Sequence, residues 1–307
     1  MSSPTPLLVD DASSTSWDDV ADVVIVGLGA AGITAAVEAR ERGADVLVLD
    51  RFDGGGATAI SGGVFYAGGG THIQEEAGVQ DTVENMIRYL SLEVQDAVSP
   101  ETLRDFCETS AANVRWLTDR GVPFYGTLCP IKTSYPTNEY HLYSSGNETF
   151  PPYSVAATPA QRGHRADGGA FPGFNIIEPL RETALREGVR IELQTRASRL
   201  VTDRSGRVVG VEVEYLPSRP WRELHLRLHK LETALAKVAP GLAGALRSRC
   251  GAIEAKHSAC KRIRCRNGVL LAAGGFIFNR DMVAEHVPEF LPGLPLGTHG
   301  DDGAGIR

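Results

Sequence analysis

Four apolar residues, Val23-Val24-Ile25-Val26, run directly into Gly27-Leu28-Gly29-Ala30-Ala31-Gly32, and a helical stretch follows to Arg42 before Gly43 stops it. Ala44-Asp45-Val46-Leu47-Val48-Leu49-Asp50 then reads as a second strand closed by an acid. Strand, glycine turn, helix, strand and acid in this order leave few folds open. Gly27 permits the tight turn, Gly29 lets the backbone approach a pyrophosphate, and Gly32 lets the helix pack close on the strand. The helix N-terminus offers free N–H groups to an anion. Asp50, 18 residues past Gly32, is placed to accept hydrogen bonds from ribose hydroxyls and to repel a 2′-phosphate. The bland alternative, a glycine-rich turn in some other βαβ unit, does not require the strand, helix and acid that all accompany the turn here.

The turn does not separate NAD from FAD. Arg51-Phe52-Asp53 leads into a second glycine-rich loop, Gly54-Gly55-Gly56-Ala57-Thr58-Ala59-Ile60-Ser61-Gly62-Gly63, which a simple nicotinamide domain lacks. Its backbone amides and small hydroxyls suit the rest of a longer cofactor better than they suit a flexible loop.

At this point the chain resembles the flavoprotein superfamily that includes fumarate reductase, succinate dehydrogenase flavoprotein and the 3-ketosteroid dehydrogenases. GLGAAG with Asp50, the GGGATAISGG loop, the segment EGVRIELQTRASRLVTDRSGRVVGVEV, and GVLLAAGGFIFNRDMV followed by GDDGAGI carry the resemblance over nearly the whole chain and in family order. SGGVFYAGGGT and LYSSGNE with RGHRADGG look most like the steroid-dehydrogenase-like branch.

The resemblance implies an α/β fold: a Rossmann-like FAD-binding domain with a β-meander and helical insertions. It implies Ala31 at the pyrophosphate turn beside Ala30, and Asp50 at the adenosine ribose with Arg51 next to it. Ala57, Thr58, Ser61, Gly62 and Gly63 would line the diphosphate and isoalloxazine, and the Ala197 backbone would meet the adenine. Ala273, Gly274 and Gly275 would turn close to the cofactor, and Asp302 would be an acid near the flavin. Members that attach FAD covalently carry a His before the GG pair; Gly56 stands there and no His occurs between Asp50 and Tyr66, so the FAD is expected to be non-covalent. The family's substrate-capping domain follows the GDG block. This chain stops at Arg307, just as Asp301 or Asp302 would cap a starting helix, so it reads as truncated, with the capping domain absent and the fragment alone inactive.

Elsewhere the sequence is less specific. Residues 1–18 have neither a basic n-region nor an apolar h-region and read as a mobile tail, before a FAD-binding domain at 19–307. Five Cys, at 107, 129, 250, 260 and 265, form no CxxC pair, which fits reduced thiols in a cytoplasm. Cys260, Cys265 and His257 lack zinc spacing, and no metal is expected. No apolar run reaches the 18–20 residues or so that cross a bilayer.

A helical and irregular insertion is expected at 72–165. Val83, Met86, Ile87 and Leu90 recur at helical spacing, and Ser99-Pro100-Glu101 opens a helix. The Tyr-rich stretch at 125–165 includes Tyr140 and Tyr143, weak candidates for a hydroxyl at the flavin's reactive edge as in ketosteroid dehydrogenases, although a packed tyrosine is the simpler reading of either. His164-Arg165 could bring charge near the flavin or merely end a loop.

The net charge is −7, yet residues 219–266 hold 12 Lys/Arg against 3 Asp/Glu. Within this island, expected as a basic helical hairpin inserted at 217–262, Leu224, Leu228, Leu231, Leu235, Val238 and Leu242 form an apolar helix stripe. Arg222, His225, Arg227, His229, Lys230 and Lys237 lie off it. A hairpin packed on its own domain with a solvated basic face is preferred to a peripheral membrane hairpin feeding an apolar substrate. No recognition motif points to nucleic acid.

The reaction implied is hydride transfer between flavin N5 and a C–C bond activated by a carbonyl. A small apolar ketosteroid is the first substrate class; fumarate-like reduction of an unsaturated carboxylate and a non-catalytic FAD-binding module are the alternatives. The sequence leaves the electron partner open.

Overall fold

The computed structural model describes residues 5–236 and 238–306; residues 1–4 of the expected tail, Lys237 and Arg307 lie outside the described residues. The chain forms two compact units, Met1–Ala57 with Arg181–Arg307, and Thr58–Leu180. In chain order the elements are β1 (Leu7–Leu8), β2 (Asp19–Val26), α1 (Ala30–Glu41), β3 (Val46–Asp50), α2 (Gly56–Ala59), β4 (Val64–Tyr66), α3 (His72–Glu76), α4 (Val83–Val94), α5 (Pro100–Asp119), β5 (Leu142–Tyr143), α6 (Tyr153–Ala156), β6 (Gly163–Arg165) and α7 (Phe174–Arg186). They continue as β7 (Arg190–Leu193), β8 (Thr195–Thr202), β9 (Val208–Tyr215), α8 (Arg219–Leu235), α9 (Pro240–His257), β10 (Ala259–Leu271) and α10 (Arg280–His286), with a 3₁₀ turn at Pro288–Phe290.

The first unit is built on a seven-stranded sheet in the order β1-β8-β9-β10-β2-β3-β7. β10, β2, β3 and β7 run parallel, with Val24 opposite both Leu47 and Val269. The residues Val46–Leu49 of β3 are all buried, the pattern of a parallel strand covered on both faces. α1 turns Gly32, Ile33, Ala36 and Val37 into the core. β8, β9 and β10 pair antiparallel, and the two helices α8 and α9 connect the last two. Ala21, Val24, Leu47, Leu49, Val211, Val213, Ile263 and Cys265 pack as one cluster.

Residues 5–18 do not form the mobile tail expected of them. Leu7 and Leu8 pair with Val201 and Thr202 as a parallel edge strand, and the Trp17 indole donates to Ala12 O at 2.8 Å. The outer edge of β8 would otherwise present unpaired backbone groups, and the segment covers its end at Val201 and Thr202.

Thr58–Leu180 is a unit in its own right rather than an insertion confined to 72–165. It holds a three-stranded sheet in the order β4-β6-β5 and a separate core of Met86, Tyr89, Leu90, Leu103, Cys107 and Ala157. Ser99 accepts from Thr102 N at 3.1 Å with Pro100 at the first helical position, the cap that its sequence calls for. Arg162, fully buried, pairs bidentately with Asp81 (2.8 and 2.8 Å).

α8 turns part of its apolar stripe outward, with Leu228 and Leu235 half-buried, while α9 buries Ala243, Leu246, Cys250 and Ile253. Leu224 and Leu231 are 41% and 48% exposed, whereas His225, His229 and Glu232 are buried. The inner face is held by polar contacts: Gln194 Nε2 donates to Arg222 O at 2.8 Å, and His225 Nε2 lies 3.2 Å from Glu254 Oε1. The basic face expected in solvent is therefore partly inside, because its histidines meet carboxylates there. Among the described residues no helix is long and apolar enough to cross a membrane.

Candidate functional site

The parallel strands β2, β3 and β10 end together, and the turn after β2 sits at their carboxyl ends, where open α/β sheets bind ligands. Gly27 takes φ +105° and donates to Leu49 O at 2.8 Å. A Cβ there would lie 2.7 Å from the Ala272 carbonyl carbon and closer still to its oxygen. A Cβ on Gly32 would lie 3.0 Å from the Gly27 carbonyl carbon and closer to its oxygen. Both sites exclude any side chain because backbone meets backbone.

Gly29 is different. It caps α1 without a side-chain hydrogen bond, and nothing lies within 4 Å of where its Cβ would be. The first-turn amides of Ala30, Ala31 and Gly32 have no intrahelical partner, and no acidic residue offsets the dipole in that turn. Open space, orphan donors and a positive helix end are an arrangement that could hold an anion.

Asp50 closes the turn onto β3. Its Oδ2 accepts from Leu28 N at 2.9 Å and its Oδ1 from Phe52 N at 2.8 Å. Burial pushes its carboxyl up, against the pull of the Leu28, Phe52 and Gly54 amides. Each oxygen keeps a second lone pair, which is what a ribose hydroxyl needs.

Arg51 and Asp302, both expected at the cofactor, meet each other at 3.2 Å, and Arg51 also forks onto Glu254 at 3.0 and 2.7 Å. Asp302 Oδ1 accepts from Ala304 N at 2.9 Å. The acid that holds the loop is its neighbour: Asp301 accepts from Thr298 N at 2.8 Å and Gly275 N at 3.3 Å. Gly303 N donates to Gly275 O at 2.9 Å, so the turn Ala273–Gly274–Gly275 and the GDDG loop form one piece. Ala197 lies at a register shift between Ala197 and Arg199 in the β8–β9 ladder, a bulge that frees backbone groups.

The remaining expected residues fall at or beyond the unit boundary. Ala57 and Thr58 lie in α2. Ser61 Oγ donates to Thr58 O at 2.8 Å and accepts from Gly63 N at 3.1 Å. The Tyr135 hydroxyl lies 2.8 Å from Gly62 O and from Ala170 O and accepts from Arg165 Nε at 3.0 Å. Arg165 is fully buried. Its Nη2 donates to Asn138 Oδ1 at 2.7 Å and to Gly169 O, while Nη1 has no hydrogen-bond partner among the described residues. Sequence reasoning did not single out Tyr135; the only signal was the tyrosine density of 125–165.

Tyr143 is buried in β5, and burial pushes its hydroxyl up to about 12. Tyr140 is half-buried. His164 carries no charge at neutral pH: burial holds it down at about 4, with Nδ1 3.0 Å from Arg162 O and Nε2 2.9 Å from Thr71 Oγ1. Of the His164-Arg165 pair, only the arginine brings charge.

A model of the FAD binding domain matches residues 22–307. The chain belongs to the FAD-binding domain family. The matched range includes residues of both units. The chain is 38% identical over 97% of its length to 3-oxo-5-alpha-steroid 4-dehydrogenase of Comamonas testosteroni, covering 57% of that protein. It is 25% identical over 92% of its length to the acrylate reductase flavoprotein subunit of Shewanella woodyi, covering 44%. Among solved structures, 3-ketosteroid-delta4-(5alpha)-dehydrogenase from Rhodococcus jostii RHA1, in complex with 4-androstene-3,17-dione, matches with a TM-score of 0.79 at 33% identity, over 98% of this chain and 55% of that one. The chain thus spans about half the length of the relatives it matches. A flavocytochrome c3 fumarate reductase matches in fold, with a TM-score of 0.67 at 24% identity.

Proposed function

We propose that this chain is the FAD-binding part of a flavin-dependent oxidoreductase that desaturates a 3-ketosteroid between C4 and C5. The observation that carries the reading is the 38% identity to a steroid 4-dehydrogenase, sustained over 97% of the chain. The cradle at Gly29 fits the FAD pyrophosphate, because the orphan amides of Ala30, Ala31 and Gly32 face open space. Asp50 would accept from the adenosine ribose, and the freed backbone beside Ala197 would meet the adenine. Bound FAD supplies the hydride acceptor; the protein supplies position and field. The loop built on Ser61, Gly62 and Gly63, braced by Tyr135 and Arg165, would hold the redox end. The place of the covalent histidine is taken by Gly56, so attachment is non-covalent.

The visible spectrum before and after denaturation tests the attachment: flavin released into the filtrate is expected, and flavin retained on the denatured chain overturns it. Anaerobic mixing of a 5α-reduced 3-ketosteroid with the FAD-loaded chain, fused to the part of the Comamonas testosteroni relative that lies outside the match, tests the activity. Bleaching of the flavin absorbance is expected. No bleaching by steroid, together with reoxidation of the reduced protein by fumarate or acrylate, would replace the steroid reading with the unsaturated-carboxylate one.

A further inference from the structure

We propose that His229, Glu232 and His299 form a binding site for a divalent transition-metal ion of the zinc class, which staples α8 to the loop before the GDDG turn. The three residues are buried, and one donor atom from each lies within 4.8 Å of the other two. His299 Nδ1 is 2.8 Å from Glu232 Oε2, and His229 Nδ1 is 4.0 Å from the same oxygen. Two imidazoles and a carboxylate are the borderline N/O donors that zinc accepts. Zinc bonds of about 2.0–2.1 Å at tetrahedral angles put neighbouring donors about 3.3 Å apart, between the two separations seen here.

A second, independent observation is the orphaned nitrogen. His229 Nε2 is 3.3 Å from Asp53 Oδ1, so in the neutral imidazole the tautomer that donates to Asp53 carries its proton there. His229 Nδ1 is then a lone pair, buried, with no hydrogen-bond partner among the described residues, and it faces a carboxylate oxygen. Two acceptors pointing at each other in a dry interior repel unless a cation lies between them. The Asp53–His229 contact is also the carboxylate–histidine arrangement that orients metal-binding imidazoles. Arg247 Nη2 donates to Glu232 Oε1 at 2.9 Å, so Oε2, the oxygen that both imidazole Nδ1 atoms approach, is the one that would meet the ion. The Phe52 ring stacks on His229 at 4.2 Å and meets His299 edge-on at 4.3 Å, so both imidazoles are fixed in orientation.

The helix itself points the same way. α8 exposes Leu224 and Leu231 and buries His225, His229 and Glu232, an inversion that costs free energy unless the buried polar atoms are matched. His229 and Glu232 stand at i and i+3, on one helix face, and three protein ligands leave a fourth position for water. The site lies outside the residues assigned to FAD, so its fate is independent of the steroid reading.

The test is Zn²⁺ binding by the chelator-treated chain, followed by competition with a chromophoric chelator. About one Zn²⁺ per chain is expected, abolished in His299→Ala and in Glu232→Gln. Asp53→Asn, which removes only the orienting carboxylate, is expected to weaken binding about 10- to 100-fold. A folded parent chain that retains no Zn²⁺ overturns the proposal, as does Zn²⁺ held equally well by folded His229→Ala, Glu232→Gln and His299→Ala variants. Zinc-edge anomalous scattering from crystals of the parent chain grown with Zn²⁺ decides without any variant: a peak among the three side chains supports the site, and a peak elsewhere or none overturns it.

Discussion

Gly29 and Gly32 are three residues apart in one motif, yet the structure assigns them opposite roles, and alanine at each separates binding from folding. At Gly29 the φ of −84° is ordinary for an L-residue and an added methyl meets nothing within 4 Å. The folding cost of Gly29→Ala is the poorer cap, about 1 kcal/mol at most. The methyl would nevertheless stand over the orphan amides of the first turn and push a pyrophosphate out of hydrogen-bonding range. Losing one charge-assisted bond costs about 1.5–3 kcal/mol, which is roughly 10- to 150-fold in Kd at 1.4 kcal/mol per decade. At Gly32 alanine has the better helix propensity, but its Cβ would lie 3.0 Å from the Gly27 carbonyl carbon, and no rotamer relieves a clash with backbone. Gly32→Ala is expected to cost more than about 3 kcal/mol in stability. Thermal unfolding of the FAD-free variants and a flavin fluorescence titration read the two effects. FAD binding by Gly29→Ala within twofold of the parent would refute the cradle. A Gly32→Ala chain as stable as the parent would refute the close helix–strand contact.

Asp81→Asn leaves the fully buried Arg162 guanidinium without its carboxylate; a loss of about 3–5 kcal/mol in urea unfolding is expected, and a shift under 1 kcal/mol would contradict the buried pair. His164 is held neutral by burial, at about 4 against the usual 6.5. The unfolded chain takes up that proton first, so stability should fall as pH drops from about 6.5 and level off below about 4, by on the order of 3 kcal/mol. His164→Gln should flatten that limb of the stability–pH curve, and an unchanged limb would refute the assignment. Leu224→Glu with Leu231→Glu should change stability by no more than about 0.5 kcal/mol, because both leucines face outward; a loss above 2 kcal/mol would show that the stripe is packed.

The turn at Gly27–Gly32 was legible because its pattern is local: strand, glycines, helix and acid fall within one βαβ unit, although the backbone that excludes a side chain at Gly27 is that of Ala272, far along the chain. The cap at Ser99 was legible for the same reason. The edge strand at Leu7–Leu8 was not, because two residues carry no period and their partner, Val201–Thr202, is far along the chain. Arg51 was read as a cofactor residue from its place after Asp50. Its pairing with Glu254 depends on a helix whose position no local pattern fixes. The separate unit at Thr58–Leu180 rests on a core that gathers Met86 and Leu103 with Ala157, again far apart in the sequence.

The hairpin α8–α9 is the sharpest case. A 4-3-4-3 leucine spacing identifies an apolar face but not the direction in which that face points. Direction is set by which alternative leaves fewer charges unmatched. Turning the leucines of α8 inward would expose His225, His229 and Glu232, and would strip Glu254, Asp53, Arg247 and His299 of the partners they meet at 3.2, 3.3, 2.9 and 2.8 Å. The buried His299 imidazole would be left unpaired and Glu254 would keep only Arg51, and about 1–3 kcal/mol for each buried polar group left unsatisfied offsets the roughly 1.5–3 kcal/mol gained by burying one leucine. The polar face goes inside because its partners, supplied by β3's end, α9 and the loop at 298–302, are already there. Asp53 stands 176 residues before His229 in the sequence, and only the folded sheet brings the two together.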